Sequence, residues 1–152
     1  MLSRRDIRSC TDIVKLYLLS TKYINNWDLV DTSASYILGA YLFEFKQTRN
    51  ILYTLARSPH LWRKRIAIIA SGYFITKHQF ADTIKIARLL LNDIHDLIHK
   101  AVGWVLREVG KRDKAVLVAF LGTHASHMPR TMLRYAIEKF SWRERQKYLD
   151  MV

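Results

Sequence analysis

A carboxylate on the apolar side of a helix is the feature of this 152-residue sequence best placed to do chemistry. On a helix starting near Trp27, a rotation of about 100° per residue gathers Val30, Ala34, Ile37, Leu38, Tyr41 and Leu42 into one apolar arc, and Asp31 falls inside it. A carboxylate so placed must be paired or used. Trp27 lies one turn earlier on the same face, so a flat aromatic wall and a negative charge meet in one partly desolvated spot. The competing reading makes Asp31 a first-turn acid, favoured by the helix dipole and paired with a neighbouring arginine.

The segment from 94 to 109 offers a second candidate. Ile94, Leu97, Ile98, Ala101, Val102, Val105, Leu106 and Val109 form its apolar face, with Trp104 at the edge and Lys100 and Arg107 one turn away on either side. A ring flanked by cations suits a place where phosphates pass and a sugar or base packs; a core tryptophan edged by solvated charges has the same pattern. Arg63, Lys64 and Arg65 follow Trp62 and either contact successive phosphates or form one exposed face. His95 and His99 stand at i, i+4, a zinc-compatible spacing, but no further ligand accompanies them, and no metal or cofactor is expected. Glycine-rich phosphate loops, nucleophile elbows and Cys-His pairs are missing, so catalysis must rest on carboxylate and aromatic groups.

The elements that position these residues read as helices from end to end, because apolar residues recur at three and four positions and no stretch alternates strictly. The expected helices cover 5–20, 27–44, 50–57, 61–76, 79–91, 94–109, 112–124, 129–139 and 142–150. Pro129 fits a first helical turn, where its missing donor costs nothing. Arg65-Ile66-Ala67, Lys100-Ala101-Val102 and Arg134-Tyr135-Ala136 fall in register at spacings of 35 and 34 residues. Such a period implies stacked helix pairs with equivalent helices lining one surface, unless a chain this rich in Arg and Lys produces the register by chance.

Composition sets the class of partner. The length fits one domain over 1–152 with a core that needs no disulfide. A net charge of +12 points to a polyanion. Cys10 is the sole cysteine, which suits a reducing, cytoplasmic setting. Arg4, Arg5 and Arg8 precede an apolar segment interrupted by Lys15, unlike a signal peptide, and nothing reaches the length of a membrane span.

Four segments carry a resemblance over nearly the whole chain and in the right order: Trp27-Asp28-Leu29-Val30-Asp31, Leu61 to Ile68, His99 to Glu108, and Pro129 to Lys139. Together they resemble the AlkD-like DNA alkylation repair family. The resemblance implies an all-α, right-handed α-solenoid of HEAT-like antiparallel helix pairs, holding duplex DNA on a basic face and hydrolysing the N-glycosidic bond of N3- or N7-alkylated purines. It implies that Asp31 is the catalytic carboxylate, that Trp27 and Trp104 pack against the lesion's deoxyribose, and that Arg65 holds the backbone nearby. Arg63, Lys64, Lys100, Arg107 and Arg134 are the expected contacts to the DNA backbone. A non-catalytic basic module that binds nucleic acid or scaffolds protein partners is the alternative.

Family members carry further helical repeats before the segment matching residues 5–25, whereas this sequence starts almost there. The expectation is a shortened DNA-binding arc, weaker affinity at physiological salt, and an apolar edge at Leu16, Tyr17 and Leu19 that favours a homodimer.

Overall fold

The computed structural model describes residues 4–151, with the side chains of Arg4 and Arg5 outside the described set. It is helical throughout, and no strand occurs among the described residues. Helix α1 spans Arg4–Leu19 and continues into a short 3-10 turn, Ser20–Tyr23. Next come α2 (Trp27–Asp31), a π-helical turn (Ser35–Gly39) and α3 (Ala40–Glu44). The remaining helices are α4 (Asn50–Ala56), α5 (Leu61–Thr76), α6 (Ala81–Leu89), α7 (Asp96–Arg112), α8 (Lys114–His124), α9 (Arg130–Ala136) and α10 (Trp142–Leu149). None of these helices is long and apolar enough to cross a membrane.

Local sequence explains where the helices begin. Asp113 caps α8 by accepting from the backbone N–H groups of Ala115 and Val116 at 3.0 and 3.3 Å. Ser141 and Glu144 form a reciprocal capping box at the start of α10. Pro129 takes the capping position itself, one residue ahead of the first-turn position expected for it, with extended ψ before α9. Ile94 departs from its expected place on an apolar face: α7 starts after it, behind the His95 cap, and Ile94 is 96% exposed.

The expected continuous helix over 27–44 is broken. Thr32 Oγ1 donates to the Asp28 carbonyl at 2.8 Å, and the Ser33 hydroxyl bonds back to the Leu29 carbonyl. Hydroxyls that return to the preceding turn compete with the helical ladder, and here the chain resumes as a π turn before α3. Asp31 therefore ends α2 instead of sitting in a first turn, so the dipole argument passes to Asp28. The apolar arc itself is realised: Val30, Ala34, Leu38 and Leu42 are buried.

The site depends on a row of neighbouring helices. The buried helix α5 packs between the π turn with α2 on one side and α7 on the other, and α7 in turn packs against α9. Helices α4 and α6 flank α5, α8 flanks α7, and α10 flanks α9. Two glycines let the row close up. A Cβ on Gly39 would lie 2.2 Å from the Ala70 carbonyl oxygen, and one on Gly103 would lie 2.5 Å from both the Met132 carbonyl oxygen and Tyr135 Cβ.

Side-chain bonds between elements repeat with the spacing of the helices. Arg49–Asp82, Lys64–Asp93, Asp31–Arg65, Glu44–Tyr73, Arg107–Glu138 and Lys114–Glu144 join residues 33, 29, 34, 29, 31 and 30 positions apart. These bonds join elements that lie next to one another in the fold. Arg65, Lys100 and Arg134 occupy α5, α7 and α9, successive members of the row, and Asp31 stands 34 residues before Arg65 on the element preceding α5.

Candidate active site

Helices α2, α5, α7 and α9 together line a cleft of about 580 Å³. Trp27 and Asp31 come from α2, Arg65 from α5, Leu97, Lys100, Trp104 and Arg107 from α7, and Tyr135 from α9. The structure thus brings together six residues singled out from the sequence, drawn from segments up to 80 residues apart.

Asp31 and Arg65 form the centre. Arg65 Nε donates to Asp31 Oδ1 at 2.8 Å and Nη2 to Oδ2 at 2.7 Å, a two-pronged pair across neighbouring helices. The remaining Nη1 donates to the Leu97 carbonyl of α7. Arg65 is only 5% exposed, and a buried guanidinium is tolerated because its donors are engaged in this way. One side chain therefore ties α2, α5 and α7 together at the cleft. Asp31 keeps 15% side-chain exposure, so its carboxylate is held in orientation while still reaching the cleft. A carboxylate has about four acceptor positions and Arg65 uses two, which leaves capacity for a ligand. Asp31 is thus paired with an arginine, as the competing reading expects, at the end of α2 and on the lining of the cleft.

The aromatic walls differ in their support. Trp27 starts α2 just after Asn26, whose side chain accepts from Asp28 N at 3.3 Å, and its ring is half exposed. Trp104 is partly buried, packing against the core as the core reading expects while also lining the cleft.

Cations border the carboxylate on α7. Lys100 is partly exposed and pairs with Asp96 one turn earlier at 2.7 Å, and that contact raises its pKa. Arg107 pairs with Glu138, just beyond α9, and its buried Nε, which has no hydrogen-bond partner among the described residues, lies 3.5 Å from the Glu108 carboxylate. Behind Asp31, the Tyr17 hydroxyl lies 2.9 Å from Ser33 Oγ, and burial pushes it above the ordinary tyrosine value, with the charge of Asp31 acting in the same direction. Tyr17 thus turns inward and does not join the exposed apolar edge expected for it. Leu16 and Leu19 are exposed, at 66% and 72%, and Ile13 accompanies them.

Three of the expected backbone contacts lie outside this cleft. Arg63 is exposed and donates to Thr21 Oγ1 at 3.3 Å. Lys64 is mostly covered and pairs with Asp93. Arg134 is exposed on α9. The histidines are engaged locally: His95 caps α7, its Nδ1 accepting from Leu97 N at 3.2 Å, and His99 Nε2 bonds the Asp93 carbonyl in the preceding connector. Among the described residues no group of three or more His, Cys, Asp or Glu side chains is arranged to hold a metal.

Tyr135 and the Leu97 carbonyl are site features that sequence reasoning missed. Tyr135 follows Arg134 in the repeat register and was visible as part of that triplet. The Leu97 carbonyl had no side-chain signal at all.

The arrangement offers a fixed negative charge and two indole rings in one cleft of a strongly basic chain, a site able to stabilise positive charge on a ligand that is itself part of a polyanion. A comparison with curated proteins returned no match. A family model described as DNA alkylation repair enzyme matches residues 1–140, and the chain belongs to that family of repair enzymes.

Proposed function

We propose that this protein is a DNA glycosylase that removes N3- and N7-alkylated purines from duplex DNA, with Asp31 as its catalytic carboxylate. The observation that carries the reading is the Asp31–Arg65 pair set in one cleft with Trp27 and Trp104.

An alkylated purine of this kind already carries a positive charge, so it leaves as a neutral base without protonation by an acid. As the C1′–N bond breaks, positive charge moves to the deoxyribose. Asp31 stabilises that oxocarbenium ion and orients the water that adds to C1′, and one proton is released to solvent. Two unit charges about 4 Å apart interact by about 4 kcal/mol at an effective dielectric of 20, which corresponds to about a thousandfold in rate. Trp27 and Trp104 pack on the sugar and add cation–π attraction. Arg65 orients Asp31, since a carboxylate that wandered by an ångström would lose much of this effect. Lys100 and Arg107 take phosphates beside the lesion; the exposed Arg63 and Arg134 are assigned to the backbone further along, while Lys64, expected there too, is engaged by Asp93.

The row α2, α5, α7 and α9 supports reading the fold as a right-handed α-solenoid of HEAT-like antiparallel pairs, one domain over 1–152, with these helices on the DNA side. The single cysteine supports a cytoplasmic setting. The exposed Ile13, Leu16 and Leu19 support a homodimer contact along α1. A second reading, a basic module that binds DNA without cleavage, draws on Asp31 being already held by Arg65. Release of free base from methylated duplex DNA, compared between the native chain and Asp31→Asn, decides between them: a glycosylase loses turnover in the variant, and a binding module has none to lose.

A further inference from the structure

A second cleft of about 480 Å³ adjoins the first, and Asp31, Trp104 and Arg107 line both. Its floor is α5, where Ile69 and Ile75 are buried and Gly72 leaves space: a Cβ there would meet only Ser35 Oγ, at 4.0 Å. One wall is the π turn, which presents Tyr36 with 76% of its surface exposed. The opposite wall is the last two turns of α7, carrying Arg107, Lys111 and Arg112. Lys111 pairs with Glu108 at 2.8 Å, whereas no ion-pair partner for Arg112 occurs among the described residues.

Tyr36 offers an open aromatic face in the same concave surface as Arg107, Lys111 and Arg112. A ring opposite a guanidinium matches the two halves of a nucleotide: the base stacks on the aromatic face and the phosphate meets the cation. The volume lies in the range of small-ligand sites. We propose that this second cleft holds one unstacked nucleotide of the bound DNA, with its base on Tyr36 and its phosphate at Arg112 and Lys111. The inference rests on the proposed function in taking DNA as the ligand and Trp104 as the partition between the two clefts. It adds a site for a nucleotide other than the lesion and assigns specificity for locally unstacked DNA to Tyr36.

The test compares affinity, by fluorescence anisotropy, for a fully paired duplex and for the same duplex with one extra unpaired nucleotide. Native protein binds the bulged duplex about tenfold more tightly, since base–aromatic stacking is worth about 1–3 kcal/mol. Tyr36→Ala loses that preference and Tyr36→Phe retains it. Arg112→Ala weakens binding and lowers the dependence of log K on log salt by about one. Trp142→Ala, an exposed ring on α10 away from both clefts, keeps the preference. Equal affinity of native protein and Tyr36→Ala for the bulged duplex overturns the proposal, as does a native protein that does not distinguish the two duplexes. Base release measured on the same preparations separates the claims: excision that depends on Asp31 without a Tyr36 effect sinks only this inference, and a Tyr36-dependent preference without excision sinks only the glycosylase reading.

Discussion

Replacing Arg65 by lysine keeps the positive charge and removes the fork. The native guanidinium makes two bonds to Asp31, at 2.8 and 2.7 Å, and a third to the Leu97 carbonyl. A lysine ammonium is a point donor at the end of a flexible stem and cannot span both carboxylate oxygens and a carbonyl on a third helix at once. Retaining one of the three leaves two charge-assisted bonds lost, each worth about 1.5–3 kcal/mol. The loss is about 3 kcal/mol at the lower end, and for a chain of this size each kcal/mol lowers Tm by about 2–4 °C. Arg65→Lys is expected to melt roughly 6–12 °C below the native protein by circular dichroism. With the carboxylate no longer fixed, single-turnover base release at saturating enzyme falls by about 10–100-fold, while affinity for DNA changes less because the charge remains. A variant that melts and turns over like the native protein would refute the idea that Arg65 orients Asp31.

Other perturbations probe the rest of the framework. Gly103→Ala forces a methyl to within 2.5 Å of the Met132 carbonyl and Tyr135 Cβ, so α9 must move away from α7; the expected cost is about 1–3 kcal/mol, read as a lower midpoint in urea. Lys100→Ala removes one cation from the cleft and is expected to flatten the salt dependence of DNA binding by about one in slope, measured by anisotropy titration at several salt concentrations. Glu144 is held at about pKa 2 by Lys114 at 2.6 Å and by the Ser141 backbone N–H and hydroxyl, below its usual 4.5. A depressed carboxylate contributes stability that is present above the usual value and lost as pH falls toward the folded one. Helix α10 is therefore expected to fray between about pH 4.5 and 2, seen as faster amide exchange in that helix, and Glu144→Gln should remove the transition.

Much of the fold was legible because helical periodicity survives in a single chain: α5 falls at 61–76 as its pattern implied, and the register of Arg65, Lys100 and Arg134 marks successive helices of one row. The pattern failed where side chains compete with the backbone. Thr32 and Ser33 sit on the polar side of an otherwise regular wheel, and periodicity carries no sign that their hydroxyls return to the preceding turn and interrupt it. Asp31 was recognisable as misplaced on an apolar face, but its partner was not, since Arg65 lies 34 residues away and only the packing of α2 against α5 makes them neighbours. Packing between neighbouring elements likewise consumes Lys64 in a pair with Asp93, which a reading of surface charge treats as free. Tyr17 looked like an exposed edge residue because its hydroxyl partner, Ser33, lies 16 residues away beyond α2.

The account turns on the charge of Asp31, and the direct measurement is single-turnover release of 7-methylguanine and 3-methyladenine from methylated duplex DNA by the native chain and by Asp31→Asn. Asparagine retains one oxygen to accept from Arg65, and a melting curve taken alongside verifies that the variant folds. The account predicts release by the native protein and a loss of about a thousandfold in the variant, with DNA affinity kept. Equal rates for the two proteins, or no release by a folded native chain, would contradict it.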